Sequence, residues 1–143
     1  SSVACIRAAE GNHCTRADSS TKVRWPAIAG VSLEHGPGWD GVLDDILTSM
    51  QNAGFDQQRD KITQIKEKFG TLRVYVSFDK SLDGEVERIE RIRKAMDETN
   101  KSSRTCETCG KSSHLMVTNG WIMSRCEEHK PPDAKTLKEH FKR

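Results

Sequence analysis

Three cysteines and one histidine in the last third of the chain have a spacing that suits metal binding. They form two pairs, Cys106 with Cys109 and Cys126 with His129, and two residues separate the members of each pair. Turns of that length bring two side chains onto one ion, and three thiolates with one imidazole are a common tetrahedral donor set for zinc. Four protein ligands fill the tetrahedron, whereas a catalytic zinc keeps a position open for water. The pattern therefore predicts a structural zinc site.

The residues around these ligands predict a small hairpin. Gly110 directly follows the first pair, at a position where a tight turn needs a permissive backbone. Asn119-Gly120 is a strong hairpin turn signal, and it lies between two apolar runs, Met116-Val117 and residues 121–123. The sequence therefore predicts a zinc-ribbon-like unit over residues 104–143.

Two further cysteines, Cys5 and Cys14, lie near the start of the chain, with His13 beside the second. Their spacing matches no common zinc pattern, so plain thiols are the favoured interpretation. A disulfide, or a second metal site that includes His13, is the alternative. Because the other three cysteines have the spacing of reduced metal ligands, the chain is expected in a cytosolic compartment.

The segments that must position the metal site begin with a helix and a β-hairpin. Over residues 40–53 the apolar side chains recur at helical spacing, and Gly54 suits the C-terminal cap of that helix. Over residues 61–78 the apolar side chains alternate with polar ones. This alternation predicts two half-buried strands that are joined by a turn at Gly70-Thr71.

Glu67 is the unusual residue of this hairpin. Alternation places it on the apolar face with Ile65 and Phe69, where a carboxylate needs a partner. A position at an edge, or an ion pair with Arg73 around the turn, would supply one. No second acid or base stands nearby in the sequence, so a structural carboxylate is favoured over a catalytic one.

Other apolar patterns complete the set of expected elements. Residues 84–100 predict a second helix, with an apolar seam that begins at Val86 and a charged opposite face that is expected to be solvated. After the metal motif, Leu137 and Phe141 lie four residues apart on a short helix and are placed to dock on the body. The early apolar run at residues 27–31 predicts a strand or an extended packing segment.

These elements predict an α+β chain with three parts: an N-terminal segment of unclear structure (1–35), a body of helix, hairpin and helix (36–103), and the zinc-binding unit (104–143). The 143 residues are 34% hydrophobic and 31% charged, which suits a modest core under a large polar surface. Residues 101–143 carry nine basic and five acidic side chains, so the end of the chain is mildly basic within a net charge of +2. No run of about 18 apolar residues is present, so no membrane span is expected.

Several segments, taken together and in order, resemble one family. They are Gly38-Trp39, residues 64–76, residues 105–110, Gly120-Trp121 and residues 126–129. The order is similar to that of small uncharacterised proteins of bacteria, phages and prophages, which have a Gly-x-Gly-Trp segment, a Lys-Glu-Lys-Phe-Gly-x-Leu-Arg hairpin, a helix and a terminal zinc knuckle. The resemblance covers roughly residues 36–129 and supports the hairpin and the four ligands. It implies the cytoplasm of a bacterial host cell and carries no settled activity.

A non-enzymatic binding protein is the function that the sequence favours. No nucleophile–base pair, phosphate-binding loop or open metal site is recognisable, and no small-molecule substrate or membrane partner is indicated. We expect a phage or prophage accessory protein that masks a host protein, for example a defence or regulatory component. For the tryptophans, Trp25 included, core packing is favoured over a role as interface anchors. The candidate binding surface comprises Lys66, Glu67, Lys68, Arg73, Trp39 and Trp121.

Nucleic-acid binding through the zinc unit is the alternative function. Zinc ribbons often serve that role, and the interleaved acidic residues weigh against it. The basic residues that could contact phosphates are Lys111, Arg125, Lys130, Lys135 and Lys138.

A nuclease of the His-Asn-His type is a weaker, third hypothesis. His114 and Asn119 lie between the two ligand pairs, as residues of such a site would. However, the second histidine of the catalytic set and its spacing are missing. His114 is also considered as a fifth metal ligand, although a surface position is favoured for it.

Overall fold

A five-stranded sheet forms the centre of the computed structural model, which describes residues 5–7, 14–16, 20–81 and 83–141. Strand β3 runs parallel to β4, and the other neighbours are antiparallel. The strands, in the order in which they pair, are β1 (Cys5–Arg7), β2 (Cys14–Arg16), β3 (Leu33–Glu34), β4 (Lys61–Lys68) and β5 (Thr71–Ser77).

The five-stranded sheet spans the predicted boundary at residue 35, because three of its strands lie before that residue and two lie after it. The predictions for the side chains of Cys5, His13 and Cys14 lie outside the described part of the chain. The α+β class predicted from the sequence is confirmed, since helices and strands both contribute to the fold.

Helix α2 (Asp40–Ala53) supplies much of the core, after a short helix α1 (Ser20–Arg24). The prediction of a helix over residues 40–53 is confirmed, and Gly54 ends it with a φ of +115°. Within the described ranges, every helix is too short or too polar to span a lipid bilayer. The buried core residues are Ile28, Leu33, Trp39, Val42, Leu43, Ile46, Leu47, Met50, Ile62, Ile65, Leu72 and Ile92.

The apolar run at residues 27–31 is not a strand. Pro26–Ile28 forms a single turn of 3₁₀ helix, and the strand β3 begins only at Leu33. Proline fixes its own φ near the helical value, which favours such a turn. Ile28 is nevertheless fully buried, so the run does pack against the core.

Helix α3 (Glu85–Thr99) confirms the second predicted helix but has a different buried face at its start. Val86 is 66% exposed, so its place in the predicted apolar seam is wrong. Glu85 is buried instead, and Arg88 contacts both Glu85 at 2.6 Å and Asp60 at 2.7 Å. Arg59 contacts the same Glu85 at 3.0 Å. Part of the charged face that was expected to be solvated is thus a partly buried ion network.

The turn between β4 and β5 lies one residue earlier than the alternation predicts. Lys68 pairs with Thr71, so the turn is Phe69-Gly70, with φ values of +52° and +79°. Positive φ angles at both turn residues are typical of a type I′ turn. Phe69 is 62% exposed, so its predicted place on the apolar face with Ile65 is wrong.

A second, three-stranded sheet is formed within residues 114–136. Its strands pair in the order β7 (Trp121–Arg125), β6 (His114–Thr118) and β8 (Lys135–Thr136). Asn119-Gly120 joins β6 to β7 with φ values of +49° and +82°, which confirms the predicted hairpin turn.

The short helix α4 (Leu137–His140) follows β8, and Thr136 Oγ1 accepts a hydrogen bond from the Glu139 amide at 3.1 Å. The prediction that Phe141 docks on the body is wrong, because this side chain is 72% exposed. Pairing of β8 with β6 holds the segment instead, and a two-residue strand leaves no periodic signal in the sequence.

Candidate metal centre

The two predicted ligand pairs converge on one point. The Cys126 sulfur lies 3.6 Å from the Cys109 sulfur and 3.2 Å from His129 Nδ1. The Cys106 sulfur lies 3.8 Å from the same nitrogen, and all four ligand atoms lie within 4.8 Å of one another. A tetrahedral ion with bonds of about 2.3 Å to sulfur and about 2.0 Å to nitrogen separates its donors by roughly 3.5 to 3.8 Å. The four ligand atoms therefore lie close enough together to be compatible with one bound metal ion.

Each ligand pair is presented by a tight backbone turn. In the first, the Gly110 amide donates to the Cys106 carbonyl at 2.9 Å, and Gly110 has a φ of +83°. In the second, the His129 and Lys130 amides donate to the Cys126 carbonyl at 3.1 and 2.9 Å. The permissive backbone predicted at Gly110 is thus used, because a left-handed residue closes the first turn.

Burial raises the pKa of the Cys106 thiol, but backbone hydrogen bonds, the largest of them to Cys126, outweigh burial and lower this pKa to about 6. A backbone hydrogen bond to Lys111 lowers the pKa of Cys109, but burial and the neighbouring sulfurs outweigh it and raise that pKa. One thiol is therefore readily ionised, and the sulfurs repel one another in a way that a bound cation would relieve.

His114 and Asn119 do not join the ligand cluster. His114 is exposed at the start of β6 and pairs with Arg125, whereas Asn119 lies in the turn at the opposite end of the hairpin. The structure therefore places the two residues that were named for a His-Asn-His nuclease at opposite ends of the hairpin. Within the described ranges, the group that could hold a metal consists of the four predicted ligands.

The turn that carries Cys106 and Cys109 rests on the Gly-Pro-Gly segment before helix α2. The Gly38 amide donates to the Glu107 carbonyl at 2.7 Å, and the Gly36 amide donates to Glu107 Oε2 at 2.8 Å. A Cβ on Gly38 would lie 2.2 Å from the Cys106 carbonyl oxygen, and one on Gly36 would lie 2.5 Å from that of Glu107. Both positions need glycine because two stretches of backbone touch there.

Glu107 is the centre of this contact, and the sequence analysis did not single it out. Its side chain is buried, and Oε1 accepts a hydrogen bond from Arg125 Nη1 at 3.0 Å. Its amide donates to the Ser124 carbonyl at 3.0 Å, and Ser124 Oγ donates to the Gly70 carbonyl at 2.5 Å. The metal turn is thus connected to both the Gly-Pro-Gly segment and the turn of the first hairpin. A carboxylate between the two cysteines of the first predicted ligand pair was the available signal.

The three tryptophans lie in different environments. Trp39 is fully buried, and its indole donates to the Thr105 carbonyl at 2.8 Å, so it belongs to the core and not to a binding surface. The Trp25 indole is partly buried and donates to Asp44 Oδ1 at 2.7 Å. Trp121 is 49% exposed and stays a candidate for binding.

The four candidate residues of the first hairpin lie on two faces. Glu67 is buried opposite Leu72, and its carboxylate accepts a hydrogen bond from the Gly70 amide at 2.8 Å. Lys66 and Arg73 oppose each other on the other face, so Glu67 does not form the ion pair with Arg73 that the sequence suggested. Glu67 therefore supports the turn.

The turns of the two hairpins lie side by side and enclose a groove of about 410 Å³. The two lysine ammonium groups lie near aromatic rings, Lys66 at 5.5 Å from the Tyr75 centroid and Lys68 at 5.6 Å from that of Phe69. We name five lining residues the hairpin-tip surface: Lys66, Lys68, Phe69, Trp121 and Ile122.

Comparison of the chain with family models, with curated proteins and with solved structures finds no match. What the metal centre and the hairpin-tip surface do is therefore argued from their own geometry.

Proposed function

We propose that the protein is a zinc-stabilised, non-enzymatic binding protein that acts by contact with another protein. The observation that carries this proposal is the closed donor set of the metal centre, where four protein atoms lie within 4.8 Å of one another. A metal that is held by four protein ligands has no position for water or substrate, so it acts by holding structure. Function then falls to the surfaces that the metal centre positions.

Zinc is the metal that this donor set favours. Three thiolates and one imidazole are soft and borderline ligands, which select zinc over the hard cations magnesium and calcium. Zinc has no redox chemistry and accepts tetrahedral geometry readily. Bound there, it would supply a cross-link between the two ligand turns. The β6–β7 hairpin between these turns supports the zinc-ribbon-like interpretation.

A protein partner is supported by the exposed aromatic side chains. Phe69 and Trp121 are 62% and 49% exposed, and both line the groove at the hairpin tips. Large aromatic side chains are common anchors of protein interfaces. With the resemblance to small phage and prophage proteins, this favours an accessory protein that masks a defence or regulatory protein in the cytoplasm of a bacterial host.

Nucleic-acid binding is the less favoured alternative, because three of the five basic side chains proposed for it already have carboxylate partners. A phosphate would have to compete with these ion pairs, which are 2.9 to 3.0 Å long. The pairs are Lys111 with Glu128, Lys130 with Glu127, and Arg125 with Glu107.

Capture from a bacterial host lysate tests the proposal. The zinc-loaded full chain is immobilised, nuclease is added to half of the samples, and bound proteins are quantified by mass spectrometry. We expect one stoichiometric protein that resists nuclease, whose recovery falls with Trp121→Ala and is unchanged with Phe141→Ala, another exposed aromatic. Recovery of nucleic acid without a stoichiometric protein, together with DNA or RNA binding at low salt, would favour the alternative instead.

A further inference from the structure

The two hairpin turns that lie side by side have nearly equal φ angles but different residues at their first position. In the second turn this residue is Asn119, with a φ of +49°. In the first turn it is Phe69, with a φ of +52°. Asparagine adopts the left-handed region readily and is strongly preferred at this position of type I′ turns, whereas a bulky side chain there is strained. The chain thus has the preferred residue type at the first position of one turn and an unfavourable residue at the same position of the other.

Core packing does not explain this departure. Phe69 is 62% exposed, so most of its ring faces solvent. A residue that is unfavourable in its backbone conformation and gains little from burial is typical of a functional site, where strain is tolerated for another purpose.

The neighbourhood of Phe69 indicates what that purpose is. Trp121 and Ile122 line the same groove and offer apolar surface. Lys66 and Lys68 line it as well, and the one carboxylate of the groove, Glu67, is buried and bound to the Gly70 amide. The accessible side of the groove is thus apolar at its centre and positively charged along β4.

We propose that the hairpin-tip surface docks an acidic segment of the partner protein, and that an apolar side chain of this segment packs between Phe69 and Trp121. Carboxylates of the segment pair with Lys66 and Lys68. This inference rests on the proposed function, because it names the partner chemistry of a protein-binding surface. A nucleic acid fits less well, because a phosphate backbone is usually held by more cations than the two found here.

Binding of three peptides to the zinc-loaded full chain tests the chemistry. The first alternates Asp or Glu with Leu or Trp, the second has Ser in place of the apolar residues, and the third has Lys in place of the acids. Oligothymidylate is the fourth probe. We expect the first peptide alone to shift the amide resonance of Phe69 and the indole resonance of Trp121 in ¹⁵N NMR spectra.

Matched variants test the site. We expect Phe69→Asn and Lys68→Glu each to weaken binding of the first peptide at least about tenfold. The controls Phe141→Asn, an exposed aromatic elsewhere, and Lys61→Glu, an exposed lysine at the far end of β4, should bind as the wild type does. Phe69→Asn should also keep or raise the melting temperature, by up to roughly 3 °C, because asparagine relieves the strained turn.

Two results would overturn the inference. One is equal binding of the first peptide by wild type, Phe69→Asn and Lys68→Glu. The other is a shift of the Phe69 and Trp121 resonances by oligothymidylate and by none of the peptides. The proposed function fails separately, when lysate capture returns no protein. If capture returns a protein equally with wild type and Phe69→Asn, the function stands and the docking site is wrong.

Discussion

The amide of Gly38 lies 2.7 Å from the carbonyl oxygen of Glu107, between the segment that leads into helix α2 and the turn that carries two metal ligands. Trp39, the next residue, is fully buried in the core and bonds to the Thr105 carbonyl. The backbone at and next to the metal turn therefore contacts both the segment before α2 and a core side chain. We therefore expect order at the metal centre to influence the start of α2 through this contact.

Substitution of Gly38 tests this contact, and Gly41 offers a matched control one helical turn away. A Cβ on Gly38 would meet the Cys106 carbonyl oxygen at 2.2 Å, so Gly38→Ala must move backbone against backbone. We expect a loss of about 3 kcal/mol in the free energy of unfolding. Gly41 is in α2 with no atom within 4 Å of its Cβ position, so Gly41→Ala should gain roughly 0.5 to 1 kcal/mol.

Urea unfolding, followed by tryptophan fluorescence, measures both free energies. A Gly38→Ala variant that is as stable as the wild type would show that the metal turn does not rest on the Gly-Pro-Gly segment. Loss of stability in Gly41→Ala would show that the alanine effect is not specific to the contact.

Removal of the metal should affect the body as well as the metal unit. We expect one zinc per chain in elemental analysis, and a melting temperature that falls by roughly 10 °C or more on chelation, since binding free energy at such sites is folding free energy. In ¹⁵N NMR spectra the amide resonances of Gly36 and Gly38 should shift, because both donate to Glu107 on the metal turn.

Single variants separate the ligand set from its neighbours. Cys109→Ser should lose the metal, whereas His114→Ala should keep it, because His114 lies outside the four-ligand group. Loss of zinc in His114→Ala, or unchanged Gly36 and Gly38 resonances after chelation, would contradict this account of the centre.

The parts of the fold that follow from the sequence are those with a local signal. Helix α2 was predictable because its apolar stripe is continuous over 14 residues and Gly54 ends it in the left-handed conformation. The cluster of three cysteines and one histidine was predictable because a two-residue spacing lets both side chains of a pair reach one point. The turn at Asn119-Gly120 was predictable because these residue types favour positive φ.

The parts that do not follow are those made by residues far apart in the sequence. Arg88 pairs with Asp60, 28 residues earlier, and Glu85 is buried against Arg88 and Arg59, whereas Val86 of the predicted seam is exposed. Strand β3 has two residues, too few for a periodic pattern. Phe69 occupies a turn position that ordinary turn chemistry assigns to asparagine or glycine, so sequence reasoning placed it in the strand.

The ion network predicts a dependence of stability on acid pH. Burial raises the pKa of Asp60, but hydrogen bonds from the Arg88 side chain and from the Asp56 and Asp79 backbone outweigh burial and lower this pKa to about 2. The folded value lies below the unfolded value, so the stabilisation is complete above about pH 4 and is lost as the pH falls toward 2. The full contribution is about 2 kcal/mol.

Comparison with Asp60→Asn isolates this contribution, since acid release of the metal affects both proteins alike. In urea unfolding at pH 6 the wild type should be the more stable protein, and the difference should shrink between pH 4 and pH 2. A difference that is constant over this range would show that the ionised form of Asp60 is not what stabilises the network.

Ser102 provides the last test, at the edge of the five-stranded sheet. The Ser102 hydroxyl accepts a hydrogen bond from the Leu72 backbone amide at 2.8 Å and donates one to Asn100 Oδ1 at 2.6 Å. The side-chain amide of Asn100, through Nδ2, donates to the Leu72 carbonyl at 2.8 Å. Two side chains thus satisfy the outer backbone groups of β5 as a neighbouring strand would. Ser102→Ala leaves a buried amide without this acceptor, and we expect a loss of about 1 to 3 kcal/mol in the free energy of unfolding.

The neighbouring half-buried Ser103 is the matched control, and Ser103→Ala should change the free energy by less than about 0.5 kcal/mol. Hydrogen exchange adds a local readout. The exchange rate of the Leu72 amide should rise in Ser102→Ala and should be unchanged in Ser103→Ala. Equal stability of the two variants, with an equally protected Leu72 amide, would mean that β5 does not depend on these side chains. Loss of protection at Leu72 alone would instead localise their role to the sheet edge, next to the turn that carries Phe69.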